Sequence, residues 1–276
     1  GAGLYAFAGV GGPYWGAADG QGHKLPLADN QAVGLALEDT SFALFLASAK
    51  PGQAGVAGLS WTALSATAAS VKLVGVAGLT MSVSDIAVDL NLVSGVAAGL
   101  NADSKVIDFA AKDGQIDIVT GTDKKQTLAM AGSQGVLVRA SADIELKVGG
   151  FMELAGSVGF ERRAETVALA DGTQVAVQVL TVGGTGLSGF VGVGPYLTPG
   201  TSTVNPEAVG LGVRDVQLGL ALMNSQQTGQ TGRQWVAMTA SVGHVDLLGL
   251  PEDLTLQVRD LGLDINLALD SAGNRL

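Results

Sequence analysis

The sequence predicts an all-β fold with an elongated repeat architecture and antiparallel hairpins, either β-solenoid-like or built from bent strands in stacked sheets. Three observations predict it: apolar residues alternate with a period of two, Asp-Gly pairs separate alternating runs, and the chain repeats itself. From Trp61 to Leu73, every second residue falls on one face of an extended segment. Because no convincing helical stripe occurs, we expect under about a tenth of residues in helices, against a base rate of ~30–35%.

The repeat is long and covers most of the chain. "GLYAFAGVGGPY" begins at Gly3 and returns as "GLSGFVGVGPY" at Gly186. The segment from Ala32 returns from Ala208, and small drifts in spacing indicate short loop deletions between matching strands. The unit exceeds the ~20–50 residues of ordinary solenoid repeats. The sequence therefore predicts a first repeat unit over residues 1–183 and the first half of a second over residues 184–276.

Two Asp-Gly pairs predict β-hairpins. Asp171-Gly172 separates the alternating runs of "TVALADGTQVAVQVL", and Asp113-Gly114 lies in "FAAKDGQIDIV". Asp-Gly between alternating runs is the strongest short-range hairpin signal. Antiparallel neighbours are therefore expected at both places.

Within the long strands the apolar positions change parity at an aspartate. Leu79, Met81 and Val83 are odd positions, whereas Ile86 and the apolar residues after it are even. A one-residue shift places later side chains on the wrong face unless the strand bulges or bends. Asp suits such a bend because its carboxylate bonds to nearby backbone N–H groups. We predict structural corners at four matching positions: Asp39, Asp85, Asp215 and Asp260.

Composition limits the function classes. Apolar residues make up 47% of the chain and aromatic residues only 5%, so the packing is expected to use small side chains. The net charge is −10 and the longest basic runs are the pairs Lys124–Lys125 and Arg162–Arg163, which disfavours nucleic acid as a partner. The chain has no cysteine, which excludes disulfides and thiolate metal sites. No stretch resembles a signal peptide or a transmembrane helix.

The sequence predicts no catalytic residues and no cofactor-binding residues. "GTGLSG" at Gly184–Gly189 matches a dinucleotide-binding pattern, but that pattern needs a following helix, and glycine and proline follow instead. His23 and His244 cannot form a strong metal set. Asp39, Asp85, Asp215 and Asp260 are also candidate calcium ligands, because Ca²⁺ prefers oxygen ligands. Neither EF-hand spacing nor the calcium-binding nonapeptide repeat is present.

Several segments resemble the tandem-repeat regions of giant bacterial secreted or surface proteins. These are "FAGVGGPY" with "FVGVGPY", "GLTMSVSDIAVDLNL" with "DLTLQVRDLGLDINL", and "TVALADGTQVAVQVLTVG". In style and repeat length, they are similar to type I-secreted adhesins and LEPR-XLL-type proteins. The resemblance implies a non-enzymatic, architectural role outside the cell or on its surface.

Two functions remain open at this point. The first is a structural or adhesive repeat of an extracellular fibre, sheath or giant surface protein. Its partners would be further copies of the repeat, with possible surface or matrix contacts, and the uncharged stretches Gly1–Ala18 and Thr173–Pro206 would be covered by neighbouring copies. The alternative is a hydrophobic β-groove that carries or binds lipid. A closed interior filled by side chains favours the first function, and a large apolar surface left uncovered favours the second.

Overall fold

Ten long strands form one antiparallel sheet, and four short strands form two small hairpins beside it. The computed structural model describes residues 1–28, 31–97, 100–112, 114–198, 201, 203–227, 232–249, 257–270 and 274–276. Its strands are β1 (Leu4–Val10), β2 (Trp15–Ala18), β3 (Lys24–Pro26), β4 (Val33–Ser48), β5 (Ser60–Val74), β6 (Leu79–Ser94), β7 (Ile116–Gly121), β8 (Lys124–Leu128), β9 (Leu137–Val148), β10 (Met152–Ala168), β11 (Gln174–Val193), β12 (Val209–Ser225), β13 (Gln234–Leu248) and β14 (Gln257–Leu269).

The large sheet follows the chain from one edge to the other. Its order is β1-β4-β5-β6-β9-β10-β11-β12-β13-β14, and every neighbouring pair is antiparallel. The hairpin β2–β3 is inserted after β1, and β7–β8 with two 3₁₀ turns (Ala102–Lys105 and Gly132–Gln134) is inserted after β6. Strands hold 66% of the residues and helices 3%, so the predicted all-β class with antiparallel hairpins is confirmed. The repeat adds strands side by side within this single sheet.

One predicted hairpin is confirmed and the other is wrong. β10 and β11 pair across Asp171-Gly172, where Gly172 has a φ of 85° and the Asp171 carboxylate accepts a 2.9 Å hydrogen bond from the Thr173 backbone N–H. Asp113 lies outside the described residues, and Phe109–Lys112 before it form turn rather than strand. The hairpin of this region is β7–β8 further on, because the alternating run begins only at Ile116.

Backbone conformation repeats along with the sequence. Gly3 and Gly186 have φ angles of 63° and 58°, in the left-handed region. Asp39 and Asp215, at 45° and 56°, occupy matching places in β4 and β12. In the sheet order β11 is the counterpart of β1, yet β11 pairs with β10 on one side and β12 on the other. The expectation that Thr173–Pro206 is covered by neighbouring copies is therefore wrong for its strand, whose edges are taken by this chain.

The glycine-rich motif repeats because an aromatic ring lies over a close strand contact. Phe190 stacks on Tyr196 with ring centroids 5.2 Å apart, as Phe7 stacks on Tyr14 at 5.7 Å. A Cβ on Gly192 would lie 2.2 Å from the Val209 carbonyl oxygen and 2.5 Å from the Phe190 ring. Only glycine fits under the ring at this separation of the strands, which explains why the repeated motif contains glycine at this position.

Three packed clusters form the core among the described residues. The first joins the insertion after β6 to β4, β5 and β9, with Phe109, Leu128 and Leu137 fully buried. Two others lie on β11 and its neighbours, around Val175 and around Phe190. The insertion is thus an integral part of the fold, because it supplies the largest buried side chain of the first cluster.

Candidate apolar binding face

β9 is the reference strand for the two faces of the sheet. Because directly paired residues point to the same side, pairing with β9, direct or through intervening strands, shows on which face each residue lies. β9 has no residue with positive φ, so its even-numbered residues share one face. Val138 and Ala140 pair with β6 residues after Asp85, and Ile144 and Leu146 pair with β6 residues before it. The left-handed Asp85 therefore reverses the alternation within β6, and its apolar side chains stay on one face along the whole strand.

Following the pairing across the sheet gives two long rows on this face. The arginine row crosses nine strands through Leu44, Leu64, Leu90, Val138, Arg162, Leu180, Leu222, Val236 and Leu267. The phenylalanine row beside it consists of Phe42, Ala66, Val88, Ala140, Phe160, Val182, Leu220, Met238 and Ile265. We call the side of the sheet that carries both rows the apolar face.

Large side chains on the apolar face remain open to solvent. Leu44 retains 46% and Phe160 44% of its surface, and Leu211 and Leu263 further along the same face each retain 50%. The three core clusters take their sheet residues from the opposite face, for example Ala43, Val177 and Phe190. The buried core and the exposed apolar face are therefore on different sides of the sheet.

A groove of about 1060 Å³ runs across β9 to β14. Its lining includes the phenylalanine row from Ala140 to Ile265. Most of the lining residues, however, alternate onto the opposite face, among them Arg139, Glu161 and the paired glycines Gly159, Gly183 and Gly219. A Cβ on Gly159 or Gly183 would meet no atom closer than 3.6 Å. These glycines leave space on the opposite face along the middle of the sheet, in contrast to the tight contact at Gly192.

Arg162 is the single formally charged side chain that pairing places on the apolar face among the described strand residues. It is exposed, with Val138 on one side and Leu180 on the other. Within the described part of the chain it forms neither an ion pair nor a side-chain hydrogen bond. The row next to it, toward the end of β10, carries Gln178, Asn224 and Gln234. A cation thus stands where the apolar surface meets a polar margin.

On the opposite face the arginines are paired with acids. Arg139 donates to Asp89 at 2.7 Å and lies 3.4 Å from Glu161, and Arg163 contacts Glu161 and lies 3.0 Å from Glu165. The hydrogen bond to Asp89 raises the pKa of Arg139, and the one to Glu161 raises the pKa of Arg163. These ion pairs hold Arg139 and Arg163 on the face opposite to Arg162.

A second polar cluster joins β12, β13 and the aromatic stack. Tyr196 donates its hydroxyl to Asp246 at 2.8 Å, and Arg214 donates to the same carboxylate oxygen at 2.9 Å. Burial acts to raise the pKa of Asp246, but the hydrogen bonds from Arg214 and Tyr196 outweigh it and the pKa is lowered. Burial first, and then the bond to Asp246, raise the pKa of Tyr196. The cluster anchors the ring of Tyr196 over β12.

The four predicted corner aspartates are exposed and have left-handed backbone, with φ of 45° to 56°. Each lies inside a continuous strand, where it reverses the alternation, while bending of the sheet at these positions stays a prediction. Asp39 and Asp85 are separated by β5, which places them ~10 Å apart. Among the described residues, His, Asp and Glu side chains form no group of three or more that could hold a metal ion.

The structure does not bring the other candidate residues together. Gly184–Gly189 lies inside β11 and is followed by strand, so the helix that dinucleotide binding requires does not follow it. His244 lies on β13 with its Nδ1 atom 3.0 Å from Asp215, and His23 is exposed near Asp19. Over the residues that the structure describes, no helix has the length and apolar character needed to cross a membrane.

The basic pair Arg162–Arg163 does not by itself single out Arg162 as a candidate site residue, although alternation already places adjacent strand residues on opposite faces. The useful signal was that Arg162 continues the apolar parity of Val158 and Phe160, whereas Arg163 continues the polar parity of Glu161.

Comparison of the chain with protein-family models, with curated proteins and with solved structures finds no match.

Proposed function

We propose that this chain binds elongated apolar molecules, such as lipid acyl chains, on the apolar face of its sheet. The observation that supports the proposal is the continuous apolar surface across nine strands with its large side chains open to solvent. Soluble proteins rarely leave contiguous apolar patches beyond a few hundred Å² without a binding role. Of the two functions open at the sequence level, an uncovered apolar surface favours lipid binding.

The dimensions suit an acyl chain. Nine strands spaced ~4.8 Å apart extend ~38 Å across the rows, more than the ~30 Å thickness of a bilayer's hydrocarbon core. An extended chain lying across the strands would contact one apolar side chain per strand along the phenylalanine row. Such contact removes apolar surface of both partners from water, at roughly 25 cal/mol per Å².

A lipid fits this face better than a second copy of the same face. Packing two apolar faces against each other would bury Arg162 from each copy. Pairing places no Asp or Glu of the described strands on this face, and the Asp103 carboxylate beside it already accepts a hydrogen bond from Gln178 at 2.5 Å. An arginine buried without a partner costs several kcal/mol. A lipid with a polar head leaves the arginine solvated or paired.

Binding of oleyl alcohol, a neutral single-chain probe, to delipidated protein tests the proposal. Met238→Glu places a charge in the phenylalanine row and is expected to weaken binding by about tenfold or more. Ser241→Glu is the matched control, since Ser241 is exposed on the opposite face of the same strand. Failure of the wild-type protein to bind the probe, or equal binding by the two variants, would reject lipid binding on this face.

The structural or adhesive repeat of an extracellular or cell-surface protein is the second candidate. It is supported by the equivalence of edge and interior strands. β1 pairs only with β4 among the described strands, but its counterpart β11 also pairs with β10. At the other edge β14 pairs with β13, and its counterpart β6 also pairs with β9. The outer edge of β14 is partly covered at its end, where Arg275 bridges Leu269 and the Leu276 N–H donates to the Ala268 carbonyl. Elsewhere the outer edge of each edge strand matches an edge that is paired in the interior, so further copies could extend the sheet.

Sedimentation and electron microscopy of the chain test this second candidate. Edge-to-edge association should be impaired by Leu263→Lys on the outer strand β14 and left intact by Leu211→Lys on the interior strand β12. The two leucines make a matched pair because both are 50% exposed on the apolar face. A chain that stays monomeric at every concentration, or that responds equally to both changes, would count against extension through the edges.

A further inference from the structure

We propose that Arg162 selects amphiphiles with an anionic head group by pairing with that group at the margin of the apolar face. The inference rests on the proposed lipid-binding function and names the ligand class. Arg162 is the one formal charge that pairing assigns to this face over the described strands, in a chain of net charge −10. Anions are repelled by such a chain in general, so a lone exposed cation on its apolar side marks a specific place for one.

The position of Arg162 separates the head of a ligand from its tail. On one side the next row along the strands is polar, with Asn224 and with Gln178, which donates to Asp103 at 2.5 Å. On the other side lies the phenylalanine row. A carboxylate held by Arg162 would therefore face the polar margin while its alkyl chain lies along Phe160 and its row. The guanidinium group suits this task, because its planar fork can donate two parallel hydrogen bonds to one carboxylate.

Neighbouring arginines cannot take over this role. Arg163 is adjacent in sequence but points to the opposite face, where Glu161 and Glu165 pair with it. Arg139 is likewise held by Asp89 and Glu161. Arg162 has no such partner among the described residues, so its hydrogen-bond donors are available to a ligand.

The test compares oleate with oleyl alcohol, which share the alkyl chain and differ in the charge of the head group. Wild-type protein at neutral pH should bind oleate about tenfold or more tightly than the alcohol, because charge-assisted hydrogen bonds are the strong ones. Arg162→Gln should remove this preference by weakening oleate binding alone, leaving the affinity for the alcohol unchanged. Arg163→Gln, the matched control on the opposite face, should keep the preference.

The outcomes separate this inference from the function on which it rests. If neither probe binds, lipid binding on the apolar face is wrong. If both bind wild-type protein with equal affinity, or if Arg162→Gln keeps the preference for oleate, the face binds lipid and the assignment of Arg162 is wrong. A loss of both probes in Arg162→Gln would also overturn the assignment, since head-group pairing affects only the anion.

Discussion

Replacing Gly192 by alanine tests the explanation of the repeated glycine motif. The added Cβ would lie 2.2 Å from the Val209 carbonyl oxygen, 2.5 Å from the Phe190 ring and 2.8 Å from the Gly210 Cα atom. Ordinary contacts between such atoms are ~3.5–4.0 Å, so two backbones and a buried ring must separate by about an ångström. Overpacking of this kind costs ~1–3 kcal/mol, and contact with backbone rather than a flexible side chain places Gly192→Ala in the upper half of that range.

Urea unfolding followed by circular dichroism measures the effect, and Gly183→Ala provides the control on the same strand. A Cβ on Gly183 would meet only the Leu218 carbonyl oxygen, at 3.8 Å. That variant should therefore be neutral or gain ~0.4–1 kcal/mol, because alanine restricts the unfolded chain. The two substitutions are chemically identical, but only Gly192→Ala is expected to lower the free energy of unfolding. Equal unfolding free energies for both variants would refute the argument from close strand approach.

Three further predictions use the same assay. Asp215→Gly should keep the unfolding free energy within about 0.5 kcal/mol of wild type, whereas Asp215→Val should lower it by ~1–2 kcal/mol, because β-branched residues resist a φ of 56°. Phe109→Ala should cost ~3–5 kcal/mol, against less than about 0.5 kcal/mol for Val119→Ala, which is 72% exposed. Asp246→Asn should remove stability that is present above the unfolded pKa of ~3.9 and lost as pH falls through the lowered folded pKa, so the two proteins' urea midpoints should converge in acid.

Most of the fold could be predicted because period-two alternation depends on local geometry alone. The reversal at Asp39, Asp85, Asp215 and Asp260 was visible for the same reason, and each of these residues has left-handed backbone. Asp and Asn tolerate that conformation better than other side chains, which ties the residue type to the feature. Repetition strengthened each of these predictions, because the same irregularity appeared twice.

What could not be predicted depends on contacts between strands that are distant in sequence. The insertion over residues 95–136 joins the core through Phe109, which shares a buried cluster with Leu137 of β9, and periodicity does not connect these two residues. The hairpin misplaced at Asp113-Gly114 shows that a turn signal needs a strand on both sides of it. The absence of other charged side chains around Arg162 became visible only from the strand register, because it depends on which residues of nine strands share one face.

The register of the arginine row also determines how a longer sheet would grow. Leu44 of β4 shares that row with Leu222 of β12, whereas the residue that matches Leu44 in the second copy of the repeat is Leu220, two positions earlier. Leu90 of β6 likewise shares the row with Leu267 of β14, whereas the residue that matches Leu90 in the second copy is Ile265, again two positions earlier. Six strands at ~4.8 Å and two residues at ~3.4 Å correspond to an advance of ~7 Å along the strands for every ~29 Å across them. A sheet extended by further repeats would therefore be an oblique ribbon with a slope of roughly one in four, and equivalent sites on successive repeats would follow a diagonal.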